Sequence, residues 1–140
     1  MSVVDASVAV KWFVDEPGSE LARQLLNSEK GNLHIPDIFV VEVAATLVRI
    51  ANQNKSSDDV SRAGLYRLID LIDSGALALD RTPPGQTIDA AYLAITLGHP
   101  LKDCIYLALA IELECDLMTC DARFAEKAKA VWDRVRVLGA

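Results

Sequence analysis

Four carboxylates in this chain, Asp5, Glu42, Asp103 and Asp121, each stand in or against an apolar stretch. An ionised carboxylate taken out of water is costly unless a cation or a set of hydrogen-bond donors compensates it. Glu42 is the sharpest case. Ile38-Phe39-Val40-Val41 precedes it, Val43-Ala44-Ala45 follows, and it is the only charged residue between Asp37 and Arg49. It falls on the second turn of the helix this stretch predicts, beyond the positions where an acid caps an N-terminus. Asp5 and Asp121 fit a helix N-cap as well as a ligand role, and Asp103 fits an acid placed to complement a helix dipole. Oxygen-only donors in this number suit a hard cation, magnesium with manganese as a substitute, and do not suit zinc.

Other chemistries find little support. His34 and His99 are the only histidines, one beside a strand and one in a Gly-His-Pro turn. Neither has metal-ligand or triad spacing, so both read as structural. Cys104, Cys115 and Cys120 are odd in number and form no Cys-x-x-Cys pair, which favours small buried side chains over a disulfide framework or structural zinc. No Gly-x-x-x-x-Gly-Lys loop and no Gly-x-Gly-x-x-Gly fingerprint is present. The net charge of −6 argues against general coating of nucleic acid. Its distribution qualifies that, because Arg123, Lys127, Lys129, Arg134 and Arg136 crowd the C-terminal end near Asp121 and could form a local phosphate-binding rim. Lys11, Arg49, Lys102 and Arg123 are the candidate phosphate contacts, although for each taken singly an ordinary surface charge is the stronger reading.

The elements that must position these groups follow from periodicity. With 140 residues and 51% hydrophobic content the chain fits one domain spanning residues 1–140. No apolar run reaches the roughly 20 residues of a membrane span, and the N-terminus lacks a signal peptide's features, so a cytoplasmic protein is expected. Ser2-Val3-Val4 reads as a strand ending at Asp5, followed by a helix over Ser7 to Val14 and a second helix carrying Leu21, Ala22, Leu25 and Leu26. Leu33-His34-Ile35 is the next strand, Pro36 a turn, and Asp37 is placed to cap the long helix carrying Glu42. A polar stretch from Asn52 to Asp59 precedes an amphipathic helix through Ala63, Leu65, Leu68, Ile69 and Ile72. Leu77-Ala78-Leu79 is a third strand, followed by a helix from about Thr87 to Leu97, a break at Gly98-His99-Pro100, and an Ala- and Leu-rich helix with Asp103 in its first turn. Leu117-Met118-Thr119 reads as a buried strand running into Asp121, and a short helix and Val135-Arg136-Val137-Leu138 complete the chain. Alternating strands and helices predict an α/β fold, a short parallel sheet covered on both faces. Ligands of such sheets bind outside the carboxyl ends of the strands, where Asp5 and Asp121 lie and where Glu42 and Asp103 can converge. Asp116, by contrast, precedes its strand and belongs at the opposite edge.

Taken in order, these segments resemble the PIN-domain ribonucleases, in particular the VapC toxins of bacterial and archaeal toxin–antitoxin pairs. Val3-Val4-Asp5-Ala6-Ser7 with Lys11-Trp12-Phe13 and Glu16-Pro17-Gly18-Ser19-Glu20 resembles the family's opening. Pro36-Asp37 before Val41-Glu42-Val43, Asp103 with Tyr106-Leu107-Ala108-Leu109-Ala110, and Leu117-Met118-Thr119-Cys120-Asp121 with Phe124 resemble its later motifs. Lys102 is a departure, standing where relatives often carry Tyr or another residue, and it touches substrate contacts more than metal binding. The resemblance implies a three-layer α/β/α, PIN-like fold and a four-carboxylate metal site of Asp5, Glu42, Asp103 and Asp121, with Ser7 and Thr119 orienting carboxylates or water. It implies a magnesium-dependent endoribonuclease acting as a toxin, an RNA substrate, a cognate VapB-type antitoxin and a homodimer. The alternative is a catalytically inactive PIN-like scaffold that binds RNA or protein. A receiver-like signalling module is disfavoured because Asp5 has no second acid beside it, and a haloacid-dehalogenase-like phosphatase because Ser7 stands where its second Asp belongs.

Overall fold

The computed structural model describes residues 1–140. Five parallel strands, β1 (Ser2–Val4), β2 (Leu33–Pro36), β3 (Leu77–Asp80), β4 (Asp116–Thr119) and β5 (Val135–Val137), form one sheet in the order β3-β2-β1-β4-β5. Successive side chains of a strand point to opposite faces. Val3 and Val4, adjacent on central β1, are both fully buried, so both faces of the sheet are covered.

Seven α-helices supply the cover: α1 (Ala6–Phe13), α2 (Ser19–Ser28), α3 (Ile38–Gln53), α4 (Asp58–Asp73), α5 (Pro84–Leu97), α6 (Leu101–Glu112) and α7 (Ala122–Ala128). α1, α3 and α4 pack on one another and reach the sheet at β4 and β3, while α6 lies across β1, β2 and β4 with α5 behind it. Connection hand explains the division. The chain first steps from β1 to β2 to β3 in one direction, then returns past β1 to β4, and right-handed crossovers running in opposite directions place their helices on opposite faces. The order therefore reverses between β1 and β4, which opens a crevice at their carboxyl ends.

Two local features hold the helices on this face together. Gly64 lets α4 approach closely, since a Cβ there would sit 3.0 Å from Phe13 Cβ and 3.2 Å from Leu47 Cδ1. The Trp12 indole donates to the Ala22 carbonyl at 2.9 Å and ties α1 to α2.

Element boundaries differ modestly from those expected. α4 begins at Asp58, directly after a 3-10 turn at Lys55–Ser57, because Asp58 and Asp59 favour a helix's first turn. α5 begins at Pro84, whose fixed φ suits the first helical position. Asp37 does not cap α3: its backbone is already helical, and its Oδ2 accepts from the Thr82 amide at 2.9 Å instead. No single helix is long and apolar enough to cross a membrane.

Candidate active site

Asp5 is delivered by the end of β1, and its backbone amide donates to the Met118 carbonyl of β4 at 3.1 Å. Its side chain caps α1, with Oδ1 accepting from the Ser7 amide at 3.0 Å, the Val8 amide at 3.3 Å and the Ser7 hydroxyl at 2.5 Å. Only 5% of the residue is exposed. Burial pushes its carboxyl up from 3.8 to about 6 against the lowering effect of the Ser7, Thr119 and Val8 hydrogen bonds, and nearby Asp103 adds to the rise. Ser7 Oγ also accepts from the Cys120 amide at 2.9 Å, joining the first turn of α1 to the loop after β4.

Glu42 lies on the inner side of α3. Its Oε1 accepts from the Tyr106 hydroxyl of α6 at 2.6 Å, and its Oε2 is 3.7 Å from Lys102 Nζ. Tyr106 is almost fully buried, and its phenol is pushed far above its usual range by burial first and then by the hydrogen bond to Glu42, so it acts as a fixed donor. Lys102 is well exposed, which makes its contact a rim interaction of small energetic weight.

Asp103 stands in the first turn of α6, where its Oδ2 is 2.6 Å from His99 Nε2. Asp121 caps α7, its Oδ1 accepting from the Phe124 amide at 2.9 Å, while its own amide donates to Thr119 Oγ1 at 3.0 Å. All four acids line one cleft of about 530 Å³ that continues over Thr46, Arg49 and Gln53 of α3.

The model of the PIN domain matches residues 2–130. The chain belongs to the PIN-domain family. Within it, the chain is a member of the VapC ribonucleases. It is 32% identical over 127 residues to ribonuclease VapC12 of Mycobacterium tuberculosis, covering 90% of this chain and 91% of that one. Among solved structures it is similar to PAE2754 from Pyrobaculum aerophilum, with a TM-score of 0.75, 16% identity, and coverage of 98% of this chain and 88% of the other. It is also similar to a toxin-antitoxin complex from Klebsiella pneumoniae, with a TM-score of 0.65, 18% identity, and coverage of 97% and 96%.

The cleft of this PIN domain gathers the four acids expected from sequence, and Ser7 and Thr119 touch carboxylates or their flanking backbone as anticipated. Of the candidate cations, Arg49 and Lys11 line the cleft, the latter donating to Glu16 Oε1 at 3.1 Å and to the Pro17 carbonyl at 2.7 Å. Arg123 is exposed and does not line it. The C-terminal basic cluster is divided: Arg134 pairs with Asp116 Oδ1 at 2.8 Å at the start of β4, and Arg136 approaches the same carboxylate at 4.0 Å, both at the edge opposite the acids. Two site residues were absent from the candidate set. In the sequence Tyr106 stands out only as part of an apolar motif, and His99 reads as structural, its four-residue spacing from Asp103 being the available signal.

The donor set fits a divalent cation. Carboxylate oxygens predominate, and Asp103 is close enough to raise the carboxyl of buried Asp5 further. A hard cation is the partner whose charge would reverse that rise.

Proposed function

We propose that this protein is the toxin of a toxin–antitoxin pair and a magnesium-dependent endoribonuclease whose site is Asp5, Glu42, Asp103 and Asp121. The observation that carries the reading is the convergence of four acids from separate elements on one cleft, the carboxyl of the most buried of them, Asp5, pushed up by burial and by its acidic neighbour Asp103. A bound divalent ion supplies activation of water for in-line attack and neutralises charge on the leaving oxygen. The chain's own groups do the rest. Tyr106 holds Glu42, Ser7 and the first turn of α1 hold Asp5, and Thr119 holds the loop that carries Asp121. Arg49 and Lys11 on the cleft wall orient the phosphodiester. His34 is occupied with Asp80 at 2.6 Å, so no histidine pair serves a route through the 2′-hydroxyl, and 5′-phosphate and 3′-hydroxyl ends are expected.

The partner of the same reading is an antitoxin segment that covers the acidic cleft, with an Arg whose fork takes carboxylate oxygens. Two copies of the chain associate, the exposed Ile88, Tyr92 and Ile95 of α5 being the patch a second copy would cover, and the complex works in the cytoplasm. A second reading, a non-cutting scaffold, draws on the capping roles of Asp5 and Asp121, which give those acids structural work of their own.

The deciding experiment incubates total cellular RNA with wild type in magnesium, wild type in chelator, and Glu42→Gln in magnesium. Cleavage in the first sample alone supports the proposal. Equal cleavage in all three would mean that a contaminant or another site does the cutting, and RNA binding without cleavage would favour the scaffold.

A further inference from the structure

His99 lies in the Gly98-His99-Pro100 break between α5 and α6, and its side chain is only 9% exposed. A carboxylate can only accept, so the 2.6 Å contact with Asp103 Oδ2 makes Nε2 the protonated nitrogen. The distance discriminates between two roles. Donors bound at right angles to one octahedral magnesium, at about 2.1 Å each, stand about 3.0 Å apart. A contact of 2.6 Å is therefore that of a shared proton rather than of two ligands on one ion. The same imidazole lies against Phe124, with ring centroids 4.7 Å apart and planes 33° from parallel. Phe124 is the residue whose amide Asp121 caps, and Lys127, further along α7, donates to the Gly98 carbonyl at 3.1 Å. One side chain thus bonds to one site acid and rests on the first turn of the helix capped by another, with the reaching atoms of His99, Asp103 and Asp121 all within 4.8 Å.

We propose that His99 is a positioning residue of the cation site. Its Nε2–H holds Asp103 Oδ2 and leaves the other oxygen to the cation, and its ring keeps α6 and α7 in mutual register. This rests on the metal-dependent reading above. Ligating carboxylates depend on such outer hydrogen bonds, and losing one weakens metal binding by about 10- to 100-fold.

Two variants separate donor from ring: His99→Phe keeps the stack on Phe124 without a donor, and His99→Gln keeps a donor without the ring. Binding of magnesium and of manganese ions alone is measured by titration calorimetry on the purified full chain. His99→Phe should bind about 10- to 100-fold more weakly than wild type, and His99→Gln should recover most of that loss. Wild-type affinity in His99→Phe, or an equal loss in both variants, overturns the donor role. Wild type that binds neither ion overturns the metal reading itself and the inference with it. Nitrogen-15 spectra of histidine-labelled wild type keep the idea testable if a variant does not fold. Nε2 should remain protonated on addition of magnesium, and loss of that proton would make His99 a ligand and reject the positioning role.

Discussion

Asp5→Asn should make the metal-free protein more stable at neutral pH while eliminating cleavage. Burial, opposed by the Ser7, Thr119 and Val8 hydrogen bonds, takes the folded carboxyl from 3.8 to about 6. A raised carboxyl means that the folded state holds more protons than the unfolded chain between those values. This group's penalty is therefore absent below about pH 4, grows as pH rises, and is complete above about pH 6. At about 1.4 kcal/mol per unit, the gap corresponds to roughly 3 kcal/mol of lost stability at neutral pH. Asparagine is uncharged and caps a helix as well as aspartate does, so its oxygen can still accept from the Ser7 and Val8 amides. Its amide protons need new acceptors, which leaves a net gain of about 1.5–3 kcal/mol, or about 5–10 °C in melting temperature for a chain of this size. Calorimetry in chelator at pH 4, 5, 6 and 7.5 measures it. A variant no more stable than wild type at pH 7.5, or an advantage that does not shrink towards pH 4, refutes the reasoning. Magnesium at about 100 times its dissociation constant should remove most or all of that advantage by adding about 2.7 kcal/mol to wild type alone.

Glu42→Gln and Asp103→Asn should abolish cleavage and shift stability by less than about 1 kcal/mol, since both amides can accept the existing hydrogen bonds; circular-dichroism melts and an RNA assay test the pair. Tyr106→Phe leaves Glu42 Oε1 without its donor and should cost about 0.5–1.5 kcal/mol in urea unfolding, together with weaker magnesium binding. Arg49→Ala should weaken RNA binding and reduce the salt slope by about 1, whereas Arg134→Ala, at the opposite edge, should leave both unchanged in filter binding. Gly64→Ala forces a methyl against Phe13 and Leu47 and should destabilise by about 1–3 kcal/mol, less whatever the helix gains in propensity, as read from a denaturant midpoint.

The acids were legible in the sequence because cost marks them. A charge inside Val40-Val41-Glu42-Val43 has to be answered somewhere, and the strand-then-acid pattern at Asp5 and Asp121 puts two more at the carboxyl edge of a parallel sheet. What answers them was not legible. The Tyr106–Glu42 bond spans 64 positions, and nothing in α6 alone distinguishes Tyr106 from the apolar residues it packs among. His99 stands four positions before Asp103 but outside its helix, across Pro100, so that spacing becomes a contact only through the bent turn. Asp37 shows the converse, a residue type right for a cap whose carboxylate is drawn off by a loop amide 45 positions away. Local rules locate expense, and tertiary packing decides which neighbour covers it.

The four acids are unequal in what else they do. Asp5 and Asp121 each spend an oxygen on the start of a helix, whereas Glu42 and Asp103 cap nothing. A descendant of this chain freed from selection for RNA cleavage would still be under selection to fold, and would lose Glu42 and Asp103 while keeping the other two. Surviving aspartates after the first and fourth strands are thus poor witnesses to activity among relatives. The pair on α3 and α6 is the one whose decay would record a toxin's retirement.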